Sequence, residues 1–321
     1  MTNRPDVSVV MVSYNTRELL AQSLASLFAQ TPSLNLQVTV IDNASSDGSA
    51  EMVRESFPRV KLVANFENLG ITKANNQGLK VSNGRYILLL NPDTIILDRA
   101  IERMRAFLGS HPEIGACGCK LLNPDGSYQR SDFPPPSLIS AFYLYSSLFA
   151  RFPALGQRLL PEAVNLRPDK TRPVQLCATT CFLISRACLN DVGYLDERFF
   201  LYSEDYDLCL RIWQKGWKVY YLPEASITHY EGASMNSGAV TLKRNFSRMK
   251  RRQTILRGEL ILLRKWHGGL YARLYYTIVW ILALFGWCRV TLKKYLDREK
   301  AVFWDGEAGF YKSVITNSFH Y

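Results

Sequence analysis

The first third of this chain predicts an α/β fold, a mainly parallel, Rossmann-like sheet flanked by helices, with a helical C-terminal region behind it. Three observations carry that expectation. Short apolar runs recur, each followed by apolar residues at helical spacing, which reads as successive β-α units. No GxGxxG follows the first run, so a dinucleotide-binding dehydrogenase is disfavoured. Clusters of Asp, Asn and Ser stand where the runs end, the place at which open α/β sheets bind their ligands.

In order, Val7 to Val12 is a strand, and Leu19, Leu20, Leu24, Leu27 and Phe28 lie on the helix after it. Val38 to Ile41 precedes a helix from about Ser49; Lys61 to Ala64 precedes Ile71 to Leu79; Tyr86 to Leu90 precedes Arg99 to Leu108. Beyond Gly115 to Leu121 the alternation stops, and Asn123-Pro124-Asp125-Gly126 is a turn joining short antiparallel strands. Pro134-Pro135-Pro136 opens an irregular stretch, and Leu138 to Phe152 reads equally as a flap, a membrane-facing loop or a buried helix. Order returns with the β-like run Val174 to Ser185, a helix opening at Ser203 and a strand from Trp217 to Tyr221. The character changes near Thr241, which divides the chain into a domain over 1–240 and a C-terminal region over 241–321.

Asp93 is the most informative polar residue. It follows the apolar run through Asn91-Pro92, and Pro92 stops the strand there, so Asp93 faces the crevice beyond the strand ends. A hard carboxylate suits Mg²⁺ or Mn²⁺ bridging to substrate phosphates. The competing reading is a loop Asp capping the helix that starts near Arg99. Asp42 ends the second strand, and Asp47 or Ser49 caps the helix after it. Asn68-Leu69-Gly70 introduces a helix N-terminus suited to backbone contact with a ligand, although the same triplet is an ordinary turn. Ser203 is a candidate N-cap, with Glu204 and Asp205 in the first turn kept ionised by the helix dipole. Asp207 and Arg211, at i and i+4, pair structurally. His229 after an apolar run is either a structural residue or a ligand for Mn²⁺.

A hydrophobic share of 47% with 21% charged residues describes a folded globular protein. The formal charge of +11 is local. From Lys243 to Lys300 there are 15 Lys and Arg against Glu259, Asp297 and Glu299, a net of +12, which leaves −1 elsewhere. The C-terminal end therefore has an anionic partner of its own, a membrane surface in preference to nucleic acid, because an uncharged aromatic segment adjoins it. That segment, Leu274 to Cys288, has 15 residues. At about 1.5 Å per residue it covers roughly 22 Å, short of the roughly 30 Å hydrocarbon core, so interfacial or re-entrant insertion is favoured over a span. Burial against the first domain or a partner subunit in an oligomer is the alternative. Seven cysteines without a CxxC read as reduced and buried, and the N-terminus has no apolar signal core, so residence at the cytoplasmic side is expected.

Taken together, Val12-Ser13-Tyr14-Asn15, Asp42-Asn43-Ala44-Ser45, Asn68-Leu69-Gly70, Asn91-Pro92-Asp93 and the Glu204-Asp205 segment resemble, in order and spacing, the family 2 glycosyltransferases of GT-A fold. Within that family the chain looks most like bacterial rhamnosyltransferases of cell-surface glycan synthesis. The resemblance covers about Val7 to Ser234 and implies an inverting, metal-dependent transferase. It implies a nucleotide-sugar donor, with dTDP-rhamnose favoured and UDP-hexoses open, and a lipid-linked saccharide acceptor at the cytoplasmic face of the inner membrane. Residue by residue it implies donor contacts from Ser13, Tyr14, Asn15, Asp42, Asn68, Gly70, Asn91 and Asp93. Asp93 and His229 face the metal, Mg²⁺ or Mn²⁺, and Asp205 is the general base beside Glu204. Asn91 stands where the family's DxD has its first carboxylate, so the cation is held weakly until donor phosphates complete its shell. The family's processive QxxRW motif is absent. A noncatalytic glycan-binding protein of the same fold is the rival from another class.

Overall fold

The computed structural model describes residues 4–146, 154, 158–159, 168–230, 241–296 and 301–316. It forms two compact units. The first begins with the four expected β-α units: β1 (Val7–Ser13), α1 (Arg17–Gln30), β2 (Leu36–Asp42), α2 (Ser49–Ser56), β3 (Lys61–Ala64), α3 (Ile71–Val81), β4 (Tyr86–Leu90) and, after the short β5 (Thr94–Ile96), α4 (Ala100–Ser110). β3, β2, β1 and β4 lie side by side and parallel. Alternate residues of each strand enter different cores. Val7, Val9 and Met11 pack with Leu20, Leu24 and Leu27 of α1, whereas Val10 packs with Leu79 of α3. Burial on both faces is why these strands read as continuous apolar runs.

The parallel expectation holds for that half of the sheet and not beyond it. The sheet continues through β6 (Ile114–Leu122), β11 (Cys181–Ser185) and β12 (Lys218–His229) in the order β4-β11-β6-β12-β5. β11 is antiparallel to both neighbours, and β12 is parallel to β6 but antiparallel to β5. The Asn123 turn closes as expected, with Asn123 N–H on the Ser127 carbonyl, and pairs β6 with β7 (Tyr128–Gln129). β8 (Asp132–Phe133) pairs with β10 (Leu176–Cys177), and β9 (Arg172–Pro173) with β12. α6 (Arg186–Val192) and α7 (Glu204–Gln214) complete the unit. Because β1 leads to β2 on one side while β4 lies on the other, the chain reverses its direction of growth between β1 and β4, which places a ligand crevice at their carboxyl ends.

The second unit is helical: α5 (Leu138–Tyr145), α8 (Thr241–His267), α9 (Gly269–Leu296) and α10 (Ala301–Thr316). The sequence had left residues 138–152 open; α5 is a helix begun by a Ser137–Ser140 capping box, and residues 147–152 lie outside the described ones. Leu256, Leu260 and Leu263 of α8 meet Ala272, Tyr275, Val279 and Ala283 of α9 and Phe310 and Val314 of α10. The 15 uncharged residues prove to be the middle of a longer helix. α9 has 28 residues, about 42 Å at 1.5 Å each, so the helix is longer than the uncharged segment from which a span was disfavoured on length.

Glu259 enters this core, where Tyr275 donates a 2.8 Å hydrogen bond to its carboxylate. Burial pushes its carboxyl from 4.5 up to about 7, while bonds from Tyr275 and Tyr145 pull the other way. The folded state thus holds a proton that the unfolded chain releases, so stability falls as pH rises from the usual carboxylate range through 7 and is level above it. We expect about 3 kcal/mol of this slope to vanish in Glu259→Gln, read as the difference between wild-type and variant unfolding midpoints from pH 5 to 8. Equal pH profiles for the two proteins would refute the assignment.

Candidate active site

Two polar loops at the ends of β1 and β2 hold each other. Asn43 N–H bonds the Ser13 carbonyl at 2.8 Å, and Ser13 and Thr16 hydroxyls pair at 2.9 Å. Asn15, at a left-handed φ of 55°, donates its backbone N–H to the Ser45 hydroxyl oxygen at 3.0 Å and accepts the Ser46 N–H on its side-chain oxygen at 2.8 Å. Ala44 is left-handed as well, at φ 66°. Backbone in this region costs energy in non-glycine residues and collects at functional sites. Asp42, 3% exposed, accepts the Ser45 N–H on one carboxylate oxygen at 3.0 Å, and its other oxygen is buried with no hydrogen-bond partner. Tyr14 projects outward beside it.

Neither Asp47 nor Ser49 caps α2 from the N-cap position, which Gly48 occupies. Asp47 instead bridges two helix starts: one oxygen accepts the Ser49 N–H at 3.0 Å and the other the Arg17 N–H of α1 at 2.9 Å. Asn68 and Gly70 are held in a polar network. Asn68 accepts from the Asn43 amide at 2.9 Å and from the Gly70 N–H at 3.0 Å, and Asn43 accepts the Leu69 N–H at 3.1 Å. The first N–H of α3, on Ile71, bonds the Phe200 carbonyl at 2.9 Å. The segment thereby anchors the loop that leads to Glu204-Asp205. Gly70 has φ 82°, and a Cβ there would lie 2.6 Å from the Phe200 ring and 2.7 Å from its carbonyl oxygen. We expect Gly70→Ala to cost about 2–4 kcal/mol, seen as a fall in the unfolding midpoint. An unchanged midpoint would mean that this contact opens freely.

Asp93 is not a helix cap. α4 begins at Ala100 behind the intervening β5, and its N-cap is Arg99. Pairing of β5 with β12 sets Thr94 opposite His229, and the Tyr230 N–H bonds the Asp93 carbonyl at 2.9 Å. Asp93 and His229 are thereby brought together, with Asp93 Oδ1 3.4 Å from His229 Nε2. Asp93 is 5% exposed, and this oxygen has no hydrogen-bond partner. His229 Nδ1 lies 2.7 Å from Gln129 Oε1. With that amide oxygen as acceptor, Nδ1 carries the proton and Nε2 presents a lone pair toward Asp93. Two acceptors at 3.4 Å, one on a buried carboxylate, fit a cation between them. Among the described residues no group of three or more His, Cys, Asp and Glu side chains is placed to hold a metal. Asn91, half-buried, is fixed through its backbone: its N–H bonds the Thr180 carbonyl at 2.9 Å and its carbonyl takes the Thr94 hydroxyl at 2.7 Å.

Before α7, Tyr202 and Ser203 are both left-handed, at φ 69° and 71°, so Ser203 lacks the extended backbone of the usual N-cap. Glu204 is 5% exposed and one of its oxygens is buried without a partner. Burial first, and the charge of Asp205 second, push its carboxyl up to about 8. This corrects the expectation that the helix dipole keeps Glu204 ionised: desolvation outweighs the dipole there and raises its carboxyl. Asp207, fully buried, pairs with Arg211 at 2.9 Å as the structural reading expects.

Sequence reasoning missed Gln129, which fixes the ring of His229, and Asn43, the buried centre of the loop network. Nothing in the sequence points to Gln129, because only the folding of β7 carries it beside β12. Asn43 adjoins Asp42, and its amide, able to donate and accept at once, was the available signal.

A mixed α/β sheet with buried acids at its strand ends, an Asp–His pair and a Glu–Asp helix start places the chain in the class of GT-A glycosyltransferases. The solved mannosyltransferase PcManGT of Pyrobaculum calidifontis, in complex with GDP-Man and Mn²⁺, shares the fold at a TM-score of 0.56 and 16% identity, over 98% of this chain and 86% of that one. The family model for glycosyl transferase family 2 matches residues 8–193, and that for glycosyl transferase family group 2 matches residues 166–298. The chain belongs to glycosyl transferase family 2. It is 30% identical to an N-acetylglucosaminyl-diphospho-decaprenol L-rhamnosyltransferase of Mycobacterium tuberculosis, over 70% of this chain and 76% of the relative. It is also 26% identical to the O-antigen biosynthesis protein RfbC of Myxococcus xanthus, over 74% of this chain and 18% of that longer protein.

Proposed function

We propose that this glycosyltransferase moves L-rhamnose from dTDP-rhamnose to a hydroxyl of a lipid-linked saccharide in bacterial surface polysaccharide synthesis, with inversion and with Mg²⁺ or Mn²⁺. One observation carries the chemistry: among the described residues, the carboxylates with a buried, unpartnered oxygen are Asp42, Asp93 and Glu204. A buried acceptor left unmade costs about 1–3 kcal/mol, so Asp42 and Asp93 at strand ends and Glu204 at a helix start mark places that a ligand completes. Asp42 accepts from the N3–H of the donor pyrimidine. The loops of Ser13, Tyr14 and Asn15 shape the same mouth, while Asn68 and Gly70 hold it in place. Asp93 and His229 would hold the cation, which when bound would supply positive charge to stabilise the departing diphosphate.

Asp205, in the first turn of α7, takes the proton of the acceptor hydroxyl as that oxygen bonds the anomeric carbon. The bond to the diphosphate oxygen breaks on the opposite face, and a single displacement inverts the centre. The choice of rhamnose and of a lipid-linked acceptor is supported by the name of the Mycobacterium tuberculosis relative. A UDP-hexose is the second reading, because uracil and thymine offer Asp42 the same N3–H.

The test is nucleoside diphosphate release from a panel of dTDP-rhamnose, UDP-hexoses and GDP-mannose, with an N-acetylglucosaminyl-diphospho-polyprenol acceptor. Acceptor-dependent release from dTDP-rhamnose supports the reading. Preference for a UDP-hexose replaces the sugar, and no release from any donor overturns the catalytic assignment.

A further inference from the structure

α9 is apolar on two opposite faces, and only one of them is spent inside the helical unit. Ala272, Tyr275, Val279, Ala283 and Val290 turn inward onto α8 and α10. Gly286 allows the ring of Tyr311 to approach, a Cβ there falling 2.6 Å from it, and the Trp280 indole N–H bonds the Ile315 carbonyl at 3.3 Å. At about 100° per residue the opposite face holds Leu270, Leu274, Ile281, Phe285, Cys288 and Leu292. All six are exposed, with Leu270 at 73%, Phe285 at 69% and Leu292 at 61%. A helix apolar all round belongs in a large core or in lipid.

The residues around that face choose its occupant. α9 contains no Asp or Glu, and Arg273, Arg289 and Lys293 are exposed along it. Two copies docked face to face would set like charges together with no acid on either helix to answer them. An anionic lipid surface answers them all, with the aliphatic stems of Arg and Lys along the apolar face and their heads at the phosphates. Trp280 and Trp287 flank the stripe, as interfacial aromatics do.

Orientation follows from the partner helices. Over the 25 residues Gly269–Lys293, with an 18-residue stretch of mean hydropathy 1.4, α9 is long and apolar enough to cross a bilayer. Yet it is packed along α8, whose Arg252, Arg257 and Arg264 are exposed. A span would draw these charges into hydrocarbon, whereas a helix lying flat leaves α8 on the aqueous side.

We infer that the outer face of α9, from Leu270 to Leu292, docks flat on an anionic lipid bilayer. The surface goes beyond the transfer reaction and stands whether or not the donor assignment holds. The test uses the full chain with phosphatidylcholine vesicles with and without phosphatidylglycerol. Wild type is expected to co-float with the anionic vesicles and to be released by alkaline carbonate. Ile281→Glu/Phe285→Glu is expected to bind about tenfold or more weakly while keeping the wild-type rate of nucleoside diphosphate release in lipid-free solution. Cys288 is exposed on this face while the other six cysteines are buried, so an environment-sensitive dye there reads insertion in the otherwise unaltered chain. A blue shift on anionic vesicles supports docking even where the double variant fails to fold. Overturning results are an unshifted dye, equal vesicle binding by the variant, retention through carbonate, or a wild-type dimer that the double variant turns into a monomer without loss of vesicle binding.

Discussion

Asp205→Asn is expected to lower kcat by about 10²–10⁴-fold, the usual worth of a general base, and to leave donor affinity within about twofold. The amide keeps the size of the side chain, loses the ability to take a proton, and removes the charge that helps to raise the Glu204 carboxyl. Glu204→Gln is the control. Burial raises the Glu204 carboxyl, so a neutral amide is a close mimic there and the loss is expected to stay within about tenfold. Steady-state rates and donor titrations on both variants separate the roles. Full activity in Asp205→Asn with loss in Glu204→Gln would exchange them.

The second large effect is at the Asp93–His229 pair. Asp93→Asn is expected to reduce kcat/KM by at least about 100-fold, and to move the Mn²⁺ concentration giving half-maximal rate upward. Gln129→Leu, which leaves the ring nitrogen of His229 without its 2.7 Å partner, is expected to weaken Mn²⁺ by about 10–100-fold, as loss of an outer hydrogen bond to a ligand typically does. Chelation with EDTA abolishes turnover in all forms on this reading, and restoration by Mn²⁺ then ranks them. Full turnover in EDTA would remove the cation from the reaction.

Some of this architecture was legible in the chain and some was not, for identifiable reasons. β1 to β4 could be read because burial on both faces makes each a continuous apolar run, and the acids at their ends stand out against it. The order of the other half was closed to sequence. β11 inserts between β4 and β6 although most of a domain separates them in the chain, and such pairing leaves no local mark. The meeting of Asp93 with His229 depends on that same non-local pairing of β5 with β12. Local pattern misled in two places. Arg273 and Arg289 bound the uncharged segment in the sequence, but arginine is a good helix former and sits comfortably on the exposed side, so α9 runs through both. At the start of α7 the dipole rule predicted two ionised acids, and burial, which a sequence does not display, decided Glu204 otherwise.

The claim on which the account turns is that Asp93 and His229 hold a cation jointly with the donor diphosphate. Mn²⁺ titrations followed by electron paramagnetic resonance, without and with dTDP, test it directly. The account predicts weak binding of Mn²⁺ alone, at least about tenfold tighter binding once dTDP is present, and loss of that gain in Asp93→Asn. Tight binding of Mn²⁺ without nucleotide, or a gain undiminished in Asp93→Asn, would contradict it.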